Sequence, residues 1–205
     1  MEADMKRQEK NQKTKRRILD GALSEFSEQG YGASSINALC SAQGISKGII
    51  YHYFSSKDDL FLACVNECFC LLTNYLAKSI QTVTGNVEKQ LEEYFAARLS
   101  FFMEYPIYQR IFCEAVVTPP AHLREEVRQC KKSFDVLNLQ ILERILKPIP
   151  LRPEITRKEV IETFQEFQDY INAQYQTVAF EAHEKRYRRV MKVLLYGVID
   201  RKKQV

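Results

Sequence analysis

Apolar residues recur at helical spacing along almost the whole of this chain, and the residues that interrupt helices are few. Seven glycines and six prolines serve 205 residues. A many-stranded sheet asks for turn residues roughly every 8–12 positions, so this supply favours long helices with short connections. The stripe Ile18, Leu19, Ala22, Leu23 and Phe26 sets the phase of a first helix, starting near Asn11 or Thr14 and stopping at Gly30. Ser34 and Ser35 are N-caps for a second, carrying Ile36, Leu39 and Cys40. Gln43-Gly44-Ile45 forms a turn, and Ser46 opens a third helix. Ser55 or Ser56 caps a fourth, with Asp58 and Asp59 at the positive end of its dipole. Leu60, Phe61, Cys64, Val65, Cys68, Leu71, Leu72 and Tyr75 carry that helix to about Val83. Further helical patterns cover 87–104, 107–117, 122–146, 156–177 and 184–202. They are separated at Thr84-Gly85-Asn86, Tyr105-Pro106, Thr118-Pro119-Pro120 and the proline-rich stretch 147–153. No strand pattern competes. The fold class is all-α, with residues 1–57 as a basic arm and three-helix unit and 58–205 as a larger helical domain. The fourth helix joins the two without a linker, so movement in the second part passes rigidly to the first.

Hydrophobic residues make up 45% and charged residues 27%, the balance of a packed soluble core. No apolar run approaches the ~18 residues of a membrane span, and no signal peptide is legible, so a cytoplasmic protein without a membrane partner is expected. The net charge of +4 is modest, but its placement is not. Lys6, Arg7, Lys10, Lys13, Lys15, Arg16 and Arg17 stand against the single acid Glu9. Such an arm can follow a phosphate backbone, each neutralised phosphate releasing counterions; the alternative is a solvated tail. Six cysteines without a CxxC pair, and three scattered histidines, give poor support to a metal site. Cys64 and Cys68 fall in step with the buried stripe, which reads as core thiols, with thiol sensing through Cys64, Cys68 or Cys70 as the alternative. A glycine-rich phosphate loop, a nucleophile elbow and an obvious carboxylate pair are missing, so neither an enzyme nor a cofactor is expected.

The densest chemistry lies between Gly44 and Lys57, Gly-Ile-Ser-Lys-Gly-Ile-Ile-Tyr-His-Tyr-Phe-Ser-Ser-Lys. Ile50 and Phe54 share one helical face and pack inward, which leaves Lys47 with Tyr51, and Gly48 with His52, on outward faces. This is the pattern of the second half of a helix-turn-helix. The stretch from about Thr14 to Ala63 resembles the DNA-binding domain of TetR-type (tetracycline-repressor-like) transcriptional regulators. The matching residues are Arg17-Ile18-Leu19-Asp20-Gly21-Ala22, Phe26, Gly30-Tyr31, Ser34-Ser35-Ile36, Gly44 to Gly48, Ile50 to Phe54 and Lys57-Asp58-Asp59-Leu60.

In such a motif the second helix enters the major groove. Gly48 lets backbone approach closely, and Lys47 reaches a guanine edge or a phosphate. Tyr51, His52 and Tyr53 donate hydrogen bonds, more often to phosphates than to bases. Ile49 either meets a thymine methyl or packs in the core. Ser34 or Ser35 binds phosphate at the start of the second helix, Ser46 stands at the start of the third, and the resemblance places Lys57 against the DNA backbone. Tyr53 packing on Tyr31, and Ser35 acting only as a cap, are the alternatives.

The resemblance further implies a homodimer on palindromic double-stranded DNA, a small-molecule effector among the middle helices, and repression relieved by that ligand. Tyr75, Phe95, Phe102, Tyr105, Tyr108, Phe112, Phe134 and Tyr170 are the candidate effector-pocket residues, joined by Phe101 in the same aromatic set. Few charges fall at inward phases there, which points to an apolar effector. The dimer seam is expected in the last two helices, at Val160, Phe164, Phe167, Ile171, Val190, Val193, Leu194 and Val198; service in the chain's own core is the alternative. Control by a protein partner or by thiol oxidation, rather than by a small ligand, fits the same DNA-binding motif.

Overall fold

The computed structural model describes residues 2–80, 85–174 and 180–198. Among them the helices are α1 (Glu2–Ala33), α2 (Ile36–Gln43), α3 (Lys47–Tyr53), α4 (Lys57–Ser79), α5 (Val87–Glu104), α6 (Ile107–Val117), α7 (Arg124–Leu146), α8 (Arg157–Gln174) and α9 (Phe180–Val198). A 3-10 turn, Ala121–Leu123, precedes α7, and no β-strand occurs among the described residues. The protein is all-α, a helix-turn-helix region followed by a larger helical region.

Most helix bounds follow the apolar period, and the exceptions are physical. The first helix starts at Glu2 instead of near Asn11. Apart from Asp4, its added turns are Glu, Ala, Met, Lys, Arg and Gln, all good helix formers, and they carry no apolar stripe to betray them. The fourth ends its α-helical run at Ser79, and the expected end at Val83 lies outside the described residues, as do 175–177 and 199–202 of the last two helices. Leu71, expected on the buried stripe, is exposed, whereas Leu72 is buried.

The chain forms two compact units. The first comprises Met1–Cys70 with Tyr105–Lys131, the second Leu71–Glu104 with Lys132–Val205. The boundary expected after residue 57 therefore falls at the head of α4 and inside the first unit, and α6 joins the same unit as the helix-turn-helix.

In the first unit, Ile18, Leu23 and Phe26 of α1, Leu39 of α2, Ile50 of α3, Leu60, Phe61 and Cys64 of α4, and Ile111 and Phe112 of α6 are all buried. Phe26 meets Phe61 edge-on at 5.2 Å between ring centroids, and Phe69 lies 5.5 Å from Phe112. Alpha-helical backbone stops at Gly30, where φ is 74° and ψ 168°, a region open essentially to glycine alone. The free groups on either side of it are met by α6: Arg110 donates to the carbonyls of Glu28 and Gln29, and the Tyr31 N–H donates to Glu114 at 2.9 Å. This polar clamp satisfies a helix end that would otherwise leave orphan groups. Arg16 of α1 and the Tyr108 hydroxyl of α6 both bond Glu67 of α4, which ties three helices at one carboxylate.

The second unit has an aromatic interior. Tyr94, Phe95, Phe101 and Phe102 of α5 are buried, and Phe101 meets Tyr75 edge-on at 5.5 Å. Arg98 is 4% exposed, with its guanidinium 5.2 Å from the centre of the Phe134 ring on α7. One turn further along α7, Asn138 accepts the Tyr94 hydroxyl. Helix α4 is long and apolar enough by composition to cross a membrane, with 44% of the relevant window buried. Leu60, Phe61, Cys64, Val65, Cys68, Leu72 and Leu76 are its buried members, at helical spacing, as in the core helix of a globular fold.

Candidate nucleic-acid interface

The corner formed by α2, the turn and α3 is built by three local devices. Ser35 holds an extended backbone and its hydroxyl accepts the Ala38 N–H at 3.0 Å, capping α2. Gly44 ends α2 in the left-handed region at φ 59°, and the Ile45 N–H returns to the Cys40 carbonyl at 3.2 Å. Ser46 then caps α3, its hydroxyl accepting from Ile49 at 3.4 Å. Ile45, Ile50 and Phe54 are buried, so the seven residues of α3 can turn only one set of side chains outward.

That outward set is Lys47, Gly48, Ile49, Tyr51 and His52, all exposed. Ile49 is 44% exposed and Ile50 is 1% exposed, which removes core packing as the role of Ile49. The Lys47 ammonium stands 5.9 Å from the Tyr51 ring centre, and His52 meets Tyr53 edge-on at 5.0 Å. A Cβ added at Gly48 would meet nothing within 4 Å. Packing therefore does not demand glycine there. An ammonium, a phenol, an imidazole and an aliphatic edge are thus displayed together on a rigid helix.

The other expected contacts are placed differently. Ser34 is 5% exposed and its hydroxyl donates to the Tyr31 carbonyl at 3.0 Å, so the surface hydroxyl at the start of α2 is that of Ser35. Tyr53 is half-buried and donates to the Asn11 side chain of α1 at 3.2 Å, a partner the sequence did not offer in place of Tyr31. Lys57 is half-buried, donates to the Ser34 carbonyl at 2.7 Å and lies 4.5 Å from the Tyr31 ring centre. Its charge sits at the corner of α2 and α4, locked in orientation by that carbonyl.

Several residues around the corner escaped the sequence. Arg17 donates to the Gln43 carbonyl, and Lys15 lies 5.6 Å from the Phe54 ring centre, so the first helix is fastened to both halves of the motif. The Asp58 carboxylate accepts the Tyr31 hydroxyl and lies 3.1 Å from the His122 imidazole. Burial, reinforced by the hydrogen bond to Asp58, pushes the Tyr31 phenol up to about 12. These pairs join residues far apart in the chain, and no local spacing signals them.

The candidate effector residues divide between the two units. Tyr105, Tyr108 and Phe112 belong to the first, where Tyr108 and Phe112 are buried and Tyr105 is exposed. Tyr75, Phe95, Phe102, Phe134 and Tyr170 belong to the second. Phe95, Phe102 and Phe134 are buried there, Tyr75 is half-buried, and Tyr170 is 50% exposed, so Tyr105 and Tyr170 are surface rings in this chain. Of the seam residues, Val160 and Phe164 are buried in the chain's own core, Phe167, Val190, Leu194 and Val198 are half-buried, and Val193 is 66% exposed. Ile171 has a side chain outside the described residues. Cys64 and Cys68 are buried and their thiols are pushed up by desolvation, whereas Cys70 is exposed.

Residues 18–64 match the family described as bacterial regulatory proteins, tetR family. The chain is 45% identical over 53 residues to the HTH-type transcriptional repressor Rv1474c of Mycobacterium tuberculosis, a match covering 26% of this chain and 28% of that protein. In three dimensions it is similar to the fatty acid degradation regulator FadR from Bacillus halodurans, with a TM-score of 0.71 at 16% identity over 87% of this chain and 94% of the other. The FadR of Bacillus subtilis, solved in complex with stearoyl-CoA, matches with a TM-score of 0.69 at 15% identity over 86% and 96% of the two chains. At such identities the structural likeness speaks for the fold. The helix-turn-helix corner, its capped α3 and the match over residues 18–64 lead to one conclusion: this N-terminal segment is similar to the DNA-binding domain of the tetR family, and the chain covers about a quarter of the length of a curated relative such as Rv1474c.

Proposed function

We propose that this protein is a sequence-specific DNA-binding transcriptional regulator of the bacterial cytoplasm, acting as a homodimeric repressor of a palindromic operator. The observation that carries the reading is the outward face of α3, where Lys47, Ile49, Tyr51 and His52 are exposed together while Ile50 and Phe54 hold the helix from behind. Lys47 supplies charge to a guanine edge or phosphate, and Ile49 an apolar contact for a thymine methyl. Tyr51 and His52 donate to phosphates, with Ser35, Ser46, Tyr53 and Lys57 at the margins of the same surface. Gly48 leaves room for the DNA backbone. On this reading residues 1–57 bind DNA, and residues 58–205 bind the effector and pair the subunits.

Release by a small apolar ligand is supported by the aromatic interior of the second unit and by the stearoyl-CoA complex of the structurally similar FadR. Val193, exposed on α9, and the half-buried Val190 and Leu194 suit a helical seam between two copies. The test is binding to duplex DNA flanking the protein's own gene across a salt series. Tight, salt-sensitive binding confined to one palindromic segment supports the regulator; equal, weak binding to all DNA refutes sequence-specific recognition.

A further inference from the structure

The basic segment at the start of the chain is not a loose tail beside the motif but the first turns of α1, and its charges are sorted. Residues 6, 10, 13 and 17 are spaced four, three and four, which places Lys6, Lys10, Lys13 and Arg17 in one row along the helix. At 1.5 Å per residue the row is about 16 Å long. The acid Glu9 lies about 70° round the helix from its centre at 100° per residue. Lys6, Lys10 and Lys13 are exposed. The row is also anchored. Arg17 at one end bonds the Gln43 carbonyl beside the turn, Asn11 accepts from Tyr53 at 3.2 Å, and Lys15 lies 5.6 Å from the Phe54 ring centre. The face bearing Asn11 and Lys15 is thereby fixed to the end of α3, and the cationic row has one orientation relative to the reading helix.

Resting on the DNA-binding reading above, we propose that Lys6, Lys10 and Lys13 form a second nucleic-acid surface, which holds the phosphate backbone of double-stranded DNA outside the segment read by α3. Duplex DNA presents one phosphate per about 3.4 Å along each strand, so the three lysines, which span about 10 Å, face about three phosphates. Phosphate contacts position without reading sequence. The row therefore adds affinity, salt sensitivity and footprint length without altering base preference.

The test compares the full-length protein with the variant Lys6→Gln, Lys10→Gln, Lys13→Gln. The DNA is a duplex selected by the wild-type protein from a random-sequence pool, used both trimmed to its protected core and flanked by one further turn, about 10 base pairs, on each side. On the flanked duplex the variant's slope of log K against log salt should be shallower by about 2.7, at about 0.9 per phosphate. Between about 50 and 200 mM salt the wild type should then lose roughly 40-fold more affinity than the variant. On the trimmed duplex the two slopes should converge, with the same preferred bases. A Lys6→Arg, Lys10→Arg, Lys13→Arg protein, which keeps the charges, should restore the wild-type slope, and circular dichroism should show equal helix content in all three. Equal slopes for wild type and glutamine variant on the flanked duplex would overturn the proposal and leave the row a solvated face. Should the wild type select no sequence at all, it is the DNA-binding reading itself that fails.

Discussion

At the scale of single residues, the corner depends on positions where the backbone leaves little choice. Gly30 and Gly44 both have positive φ, but their demands differ. Gly44 needs only the left-handed region, which costs an ordinary residue about 1–2 kcal/mol. Gly30 has ψ 168°, and a Cβ there would sit 2.3 Å from the Glu114 carboxylate that binds the Tyr31 N–H. Gly30→Ala should therefore destabilise more than Gly44→Ala in urea denaturation, and the reverse order would contradict the clamp. Tyr31 carries a second prediction. Its phenol ionises near about 10 when unfolded and is raised to about 12 in the fold, by burial first and then by Asp58. A raised folded value contributes stability that is whole below the unfolded pKa and is lost as pH climbs through the folded one. Across pH 10 to 12 Tyr31→Phe should accordingly lose less stability than the wild type, measured by thermal midpoints. Identical falls would mean that the fold does not raise the Tyr31 phenol. The turns at Gly30 and Gly44 are legible in the sequence, but the partners of Gly30 and Tyr31 are not, because Glu114, Asp58 and His122 reach the corner from distant parts of the chain.

At the scale of helices, the short α3 has too few residues to hold itself and relies on its cap and its apolar side. Ser46→Ala removes the hydroxyl that accepts from Ile49, and the cost should be about 1 kcal/mol in chemical denaturation; no change would mean that the cap is replaced by solvent. Residues 87–104 and 107–117 are legible as helices to the residue, since proline, glycine and asparagine mark their ends. The early start of α1 is not, because a run of lysines, arginines and glutamines reads equally as helix or tail until Asn11 and Lys15 find partners on α3 and at its C-cap. The outward and inward sides of α3 are legible from the i, i+4 spacing alone, and its exposure puts Ile49 outside the chain's own core. Lys57 and Ser34 shift in meaning: each spends its polar group on the other's neighbourhood, the ammonium on the Ser34 carbonyl and the hydroxyl on Tyr31.

At the scale of the molecule, the all-α class follows from sparse breakers and a persistent helical period, while the grouping of α6 with the helix-turn-helix does not. That grouping rests on the clamp at Gly30 and on Glu67, contacts no period encodes. A two-half-site operator calls for two reading helices about 34 Å apart, so sedimentation equilibrium should give twice the chain mass at micromolar concentration. A strict monomer would contradict the proposed homodimer. On the proposed reading, the exposed side of α3 reads DNA. The most direct test of that reading compares the wild type with Lys47→Ala, Tyr51→Ala on a duplex selected by the wild type and on a scrambled duplex of equal length. Both side chains are exposed, so thermal stability should not change. Affinity for the selected duplex should fall at least about tenfold, because each of the two side chains supplies a contact to a base edge or a phosphate. An equally stable double variant that binds the selected duplex with full affinity would contradict the account.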